Sequence, residues 1–276
     1  MSGGAAARKG GKTRAATRRS TRGGKSSAPH ERAAGSRAGK TADRHRAIAA
    51  SARDADRADA ISVLHERLRE RFGTPQPDSY QAPLDEVVFA ILSQNTTDTN
   101  RDRAWASLWL HFDSWEQIAA ARVDKIAAAI KVGGLHKVKA KRIKAILRQI
   151  ERDRGGFDLD YLEKLDMEEA RRELKKYKGV GEKSINCILL FSLGQPAFPV
   201  DTHVHRILRR LGIIESRDLG KANRDVQQYV PDEIAYPLHM NVIRYGREVC
   251  HAQRPKCWSC DIEDLCGFED KNLEGP

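Results

Sequence analysis

The chain has 276 residues, with 49 Lys or Arg against 38 Asp or Glu and a formal net charge of +11. That length suits one large domain or two small ones. No run approaches the roughly 18 apolar residues that a membrane span requires, and no apolar signal-peptide region is visible, so neither a membrane-spanning nor an exported protein is expected.

The first 50 residues carry 13 Lys or Arg, from Arg8 to Arg46, against the two acids Glu31 and Asp43, which leaves 36 of each sign in the rest of the chain. The segment is Ala, Gly, Ser and Arg with almost no large apolar residue. It lacks the material for a core and is predicted to be a disordered basic tail. An arm of this charge points to a polyanion, most often nucleic acid; a transit peptide, also rich in Arg and Ser, is the alternative. From about Asp54 onward apolar residues recur at three- and four-residue spacing, over 58–68, 87–92, 126–130, 143–150 and 242–249, which predicts helices. Pro75, Pro77 and Pro83 mark a loop between the first helix and the next group, and Gly155 and Gly156 break the chain again. Ser114 ahead of Gln117, and Asp166 ahead of 167–176, start helices by capping. Val200 is the one hint of a strand and is too short to count. The fold class predicted is all-α, with about ten helices after the tail.

Three motifs carry chemistry. In the first, Lys178, Gly179, Val180, Gly181, Glu182 and Lys183 lie between two helical stretches. The glycines let the backbone turn tightly and approach a ligand. The helix that follows offers free N–H groups to a phosphate, and Lys175, Lys176 and Lys178 add positive charge. In the second, P-V-D-T-H at 199–203, Asp201 is placed to cap a helix over 202–211. A carboxylate at the mouth of a cleft can also assist chemistry, and the two roles are compatible. The third is Cys250, Cys257, Cys260 and Cys266, spaced C-x6-C-x2-C-x5-C. Without a signal peptide a reducing compartment is expected, where clustered cysteines read as metal ligands. Four thiolates suit either a [4Fe–4S] cluster or Zn²⁺, and the spacing alone does not choose. Either metal would close a loop that has few apolar residues of its own. Cys187 stands apart as a small core residue on a helix.

Joined by L-S-Q-N-T-T-D at 92–98, the segments G-V-G-E-K-S at 179–184, V-D-T-H at 200–203 and the cysteine loop resemble the endonuclease III family of DNA glycosylases, over roughly residues 56–268. The resemblance implies a two-domain helix-hairpin-helix DNA glycosylase fold with a C-terminal iron–sulfur cluster loop. One domain would be a six-helix barrel over 81–194; the other would join 54–80 to 195–276. A [4Fe–4S] cluster on Cys250, Cys257, Cys260 and Cys266 is implied, as are Lys183 and Asp201 as catalytic residues. DNA contacts are expected from Gln94, Asn95, Lys178, Gly179, Val180, Gly181 and His203. The implied activity is that of a bifunctional glycosylase and AP lyase of base excision repair, acting on oxidised pyrimidines. The damaged base is flipped out of the stack, Lys183 attacks C1′ and displaces it, and β-elimination from the resulting Schiff base nicks the strand. The implied partner is duplex DNA with damaged bases or abasic sites, bound by a monomer, in the cytoplasm of a bacterium or the nucleus or mitochondrion of a eukaryote.

A free lysine titrates near ~10.4 and is mostly protonated at neutral pH. Neighbouring cations or partial burial favour its neutral amine, with Lys175, Lys176 and Lys178 contributing where they lie close enough, and Asp201 is expected to accept the proton or stabilise positive charge on the sugar. Three departures from the family pattern stand out. Tyr177 and Lys178 replace a Leu-Pro pair, Asn95 replaces a glutamine that wedges into the gap left by the flipped base, with Gln94 as a partner in that role, and Glu182 is an acid where a basic residue is usual. Two readings stay within the superfamily or close to it: a mispair-directed monofunctional glycosylase and a non-catalytic helix-hairpin-helix DNA-binding protein. Ala90 in place of the mispair enzyme's glutamate, and Lys183 together with Asp201, argue against them. An iron–sulfur electron carrier would leave the hairpin and V-D-T-H unused.

Overall fold

The computed structural model describes the backbone of residues 35–275 and the side chains of residues 53–275. The described residues form eleven α-helices, five short 3-10 turns and no strand. The α-helices are α1 (Gly35–Phe72), α2 (Pro83–Leu92), α3 (Asp98–His111), α4 (Trp115–Ala120), α5 (Val123–Ala129), α6 (His136–Arg154), α7 (Met167–Leu174), α8 (Glu182–Phe191), α9 (Thr202–Arg210), α10 (Leu219–Asp225) and α11 (Ala235–Glu248). The chain divides into the units Met1–Ile48 and Ala49–Pro276. The first helix begins at Gly35, inside the segment for which the composition predicts no regular structure. Ala, Arg and Lys are good helix formers, so propensity alone can carry helical turns there without an apolar face. The rest of the basic arm, residues 1–34, lies outside the described residues.

Helix starts follow local chemistry. Pro83 opens α2 with Asp85 and Glu86 in its first turn. Thr97 accepts from the Asn100 N–H at 3.3 Å to start α3, and Ser114 accepts from the Gln117 N–H at 3.4 Å to start α4. Asp166 and Glu169 close a full capping box on α7. The start of α8, by contrast, has no side-chain cap.

Two apolar cores fill the unit Ala49–Pro276. The first packs α2 to α8 around Val87, Ile91, Leu108, Ile143 and Leu174. The second packs α1 against α9 and α11 around Leu64, Leu68, Leu208, Leu238 and Tyr245, with Ile262 from the cysteine loop. Each buried Leu or Ile is worth about 1.5–3 kcal/mol relative to exposure. Consecutive residues of α8 serve different cores: Leu189 belongs to the first and Leu190 to the second. The helix carrying Lys183 is therefore gripped from both sides.

Candidate active site and cysteine loop

Between α8 and α9 the chain runs extended without joining a sheet, because side-chain amides take the place of a neighbouring strand. Asn223 of α10 accepts from the Val200 N–H at 2.7 Å and donates to the Val200 carbonyl at 2.8 Å. Gln227 brackets Phe198 in the same manner, accepting from its N–H and donating to its carbonyl, each at 2.8 Å. Asn186 of α8 donates to Asn223 Oδ1 at 3.2 Å and accepts from Arg171 at 2.8 Å. Arg171 also reaches Glu182 at 3.4 Å. A buried polar chain thus runs from the first residue of α8 to the residue before Asp201. Asp201 then caps α9, accepting from the Val204 N–H at 2.8 Å, and the capping expected of it is what the fold contains.

Lys183, one residue into α8, is half-buried and feels the charge of Asp201. Its titration is raised above the usual lysine value by the Cys187 sulfur beside it, then by Asp201 and Glu86, against burial, which lowers it. Burial pushes the Cys187 thiol up in turn, so the sulfur is a neutral neighbour that accepts from the ammonium. These surroundings overturn the expectation that nearby cations free the amine. Lys175 is paired with Glu182 at 3.3 Å and Lys176 with Glu173 at 2.6 Å, and neither they nor the exposed Lys178 dominates the field at Lys183. The resting group is an ammonium. His239 of α11 faces the same pair and is held neutral, its pKa lowered first by burial. Its buried Nδ1 has no partner among the described residues.

The hairpin presents backbone. Gly179 sits at φ +102°, and a Cβ there would fall 2.4 Å from Cδ and Nε of Arg142, so glycine is required twice over. Val180 is buried in the first core and its N–H donates to the Tyr177 carbonyl at 3.1 Å. With its side chain in the core and its N–H bonded, Val180 offers less to a ligand than the backbone of Gly179 and Gly181 on either side. Among the described residues the N–H groups of Gly179, Gly181 and the first turn of α8 have no acceptor. Glu182, only partly exposed, ties Arg171, Lys175 and Arg224 to this end, which accounts for an acid in that position.

Gln94 joins the hairpin, donating to the Gly179 carbonyl at 3.5 Å and accepting from Arg142 at 2.5 Å. Asn95 is exposed at φ 50°. Asp98, from the same motif, pairs with Arg101 at 2.8 Å and with Arg247 of α11. His203 is half-buried, with Nδ1 accepting from Arg206 at 3.1 Å, and it packs on Gly246. Three residues at this surface escape sequence reasoning. Arg142 reads as one of many basic residues on α6. Leu135 is 53 % exposed and held at φ 45°, on a turn whose Gly134 approaches the Asn95 carbonyl. Glu86 reads as a first-turn acid that complements the helix dipole. The available signal was an acid inside P-L-D-E-V-V-F-A-I-L, a helix apolar on nearly every face.

At the C-terminus Cys250, Cys257, Cys260 and Cys266 line one pocket with Ile207, Leu211 and Phe268 among its walls. Arg210 donates to Cys250 Sγ at 3.0 Å and Tyr245 to Cys260 Sγ at 3.1 Å. Donors aimed at sulfur suit thiolate ligands. No group of three or more His, Cys, Asp or Glu among the described residues converges as a site for a single ion. Arg67 and Arg71 of α1 anchor the loop through Asp264 and Asp261.

Residues 88–232 match the family model of the HhH-GPD superfamily base excision DNA repair protein. Endonuclease III of Thermotoga maritima is 30% identical over 215 residues, covering 78% of this chain and 96% of the relative. Endonuclease III of Haemophilus influenzae is 31% identical over 206 residues, covering 74% of this chain and 93% of the relative. A solved structure of a trapped endonuclease III–DNA covalent intermediate aligns with a TM-score of 0.65 at 25% identity, over 76% of this chain and 95% of that one. Among the described residues no helix is long and apolar enough to cross a membrane.

Proposed function

Because the chain belongs to the HhH-GPD superfamily of base excision DNA repair proteins, within it to the endonuclease III family, we propose that it excises oxidised pyrimidines as a bifunctional DNA glycosylase and AP lyase, with Lys183 as nucleophile and Asp201 as its electrostatic partner. The observation that carries this reading is that the charge of Asp201, on α9, acts on the Lys183 ammonium at a helix start with free N–H groups. A phosphate of the bound strand sits naturally at that end. Arg142 and the exposed Lys178 add charge there, and Leu135 and Asn95 offer an apolar and a polar wedge for the space a flipped base vacates. Lys183 attacks C1′, the base leaves with the electron pair of the glycosidic bond, and Asp201 stabilises the positive charge on the sugar. His239, neutral, walls the pocket without adding a competing cation.

The cysteine loop is read as the seat of a [4Fe–4S] cluster held by Cys250, Cys257, Cys260 and Cys266. All four thiols line one pocket, which supports a metal group shared among them, and membership of the endonuclease III family favours the cluster over a single ion. When bound, the cluster closes the loop and fixes it on α1 and α9. Iron and sulfide assays should give about four of each per chain, and one zinc with no iron would refute the assignment. The catalytic reading is tested by borohydride trapping on abasic duplex. The full chain should be captured covalently, and Lys183→Ala should not, while still binding DNA. Trapping that survives the substitution would move the nucleophile to another amine.

A further inference from the structure

The ammonium at Lys183 must lose a proton before it can attack, and Asp201 is already committed through one oxygen to the Val204 N–H. A second carboxylate faces the same amine. Glu86 of α2 is only 5% exposed, yet among the described residues no hydrogen bond or ion pair reaches its carboxylate. A buried acid in that condition is rare unless it serves chemistry. Helix α2 packs on α8, and the Glu86 carboxylate is close enough to Lys183 and Cys187 of that helix to act on both through its charge.

We propose that Glu86 is the base that takes the proton from the Lys183 ammonium, leaving Asp201 to hold the positive charge that develops on the sugar. The proposal rests on Lys183 as nucleophile. On an abasic site the N–H bond of Lys183 breaks and an O–H bond forms on Glu86, directly or through one water. The free amine adds to the C1′ aldehyde. The protonated Glu86 then returns its proton to the departing hydroxyl of the carbinolamine, giving water, the iminium and the original carboxylate. No other reactant is needed.

The charged neighbours support the assignment. From α8 Glu86 faces Lys183 and Cys187, from α3 it faces Arg101, and on its own turn it adjoins Asp85. Asp160, on the 3-10 turn Asp160–Lys164, acts on Asp85. The Lys139 ammonium of α6 is bound to the Leu92 carbonyl at the far end of α2. Burial raises the Glu86 carboxyl to about 7, with Lys183 and then Arg101 opposing. A base with that value exchanges protons readily near neutral pH.

The test uses Glu86→Gln in the full chain, a change that keeps shape and removes the base. Single-turnover borohydride trapping on abasic duplex and base release from a duplex carrying an oxidised pyrimidine are measured from about pH 6 to 9. Near neutral pH both rates should fall together by about 100-fold, and the deficit should narrow at alkaline pH as Lys183 loses its proton to solvent. The parent's rate should fall below about pH 7 as Glu86 protonates, and this limb should vanish in the variant. Equal trapping at every pH overturns the proposal, as does a deficit constant with pH, which marks a structural role. Slower base release with unchanged abasic trapping also overturns it and makes Glu86 a contact to the base. If Glu86→Gln melts early, Glu86→Asp carries the test: its acidic limb must shift, and an unshifted limb counts against Glu86. A parent that fails to trap refutes the nucleophile instead, so the two failures are distinct.

Discussion

Two helix ends flank the pocket, and they are finished in opposite ways. The start of α9 is closed: Asp201 caps it, and the backbone leading to it is bonded by Asn223 and Gln227. The start of α8 is left open, with no side-chain cap and a Gly179–Gly181 turn whose glycine N–H groups have no acceptor among the described residues. Closure fixes where a carboxylate stands, to the fraction of an ångström that charge stabilisation needs. Openness leaves donors for an anion and lets the DNA backbone come close. One end is thus built to hold a group of the protein, the other to receive a group of the ligand.

The largest expected effect comes from separating the two roles of the closed end. Asp201→Asn keeps the cap, since Asn caps about as well as Asp, but removes the charge. Base release under single-turnover conditions should fall by about 100-fold with the melting temperature almost unchanged. Full activity in that variant would leave Asp201 as a cap alone.

Next in size is the amide that closes the segment. Asn223 is fully buried, and Asn223→Ala strands both the N–H and the carbonyl of Val200. Two unsatisfied groups cost about 2–4 kcal/mol together, to be read from urea midpoints. The carboxylate one residue on should also lose its fixed position, so activity should fall more than the folded fraction does. Loss of stability with unchanged activity per folded molecule would show that Asp201 is placed by its cap and not by the segment.

The features legible in the sequence are those whose residues lie close together along the chain. Lys183 and Asp201 sit inside contiguous motifs, the caps of α4 and α7 are set by neighbours three residues away, and the four cysteines that line one cavity lie within 17 residues of one another. Glu86 and Arg142 carry no such signal, because their places near Lys183 and Gly179 arise only once α2 packs on α8 and α6 reaches the hairpin. The field at Lys183 was misjudged for a related reason. A lysine's pull on a neighbour's titration is offset by its own acidic partner, and Glu182 and Glu173 pair with Lys175 and Lys176 through contacts that no spacing rule supplies. Helix α1 begins at Gly35 within the basic segment, since composition reports the absence of a core, not the absence of helical turns.

At the open end the first glycine should matter to both fold and ligand. Gly179→Ala imposes a side chain at φ +102° and drives it into Arg142. Strain of this kind costs about 1–3 kcal/mol, and displacing Arg142 also frees Gln94 from the hairpin. Stability and affinity for abasic duplex should fall together, the first measured by thermal melting and the second by fluorescence anisotropy with borohydride omitted.

Gly181→Ala should have the smallest effect on the fold, and this makes it the sharper probe of openness. Gly181 adopts φ −94° and ψ 177°, which any residue tolerates, and an added Cβ meets no heavy atom within 4 Å. Stability should therefore change by no more than about 0.5 kcal/mol, with a stiffer unfolded chain favouring a small gain. A methyl group beside a free N–H does obstruct a phosphate approaching it, so DNA affinity should still drop severalfold. No charge is lost, so the slope of log K against log salt should match that of the parent. Weaker binding with an equal slope and equal melting would place the phosphate at the open end of α8. Unchanged binding would mean that the DNA backbone passes elsewhere, and that Gly181 is free of side chain for the turn alone.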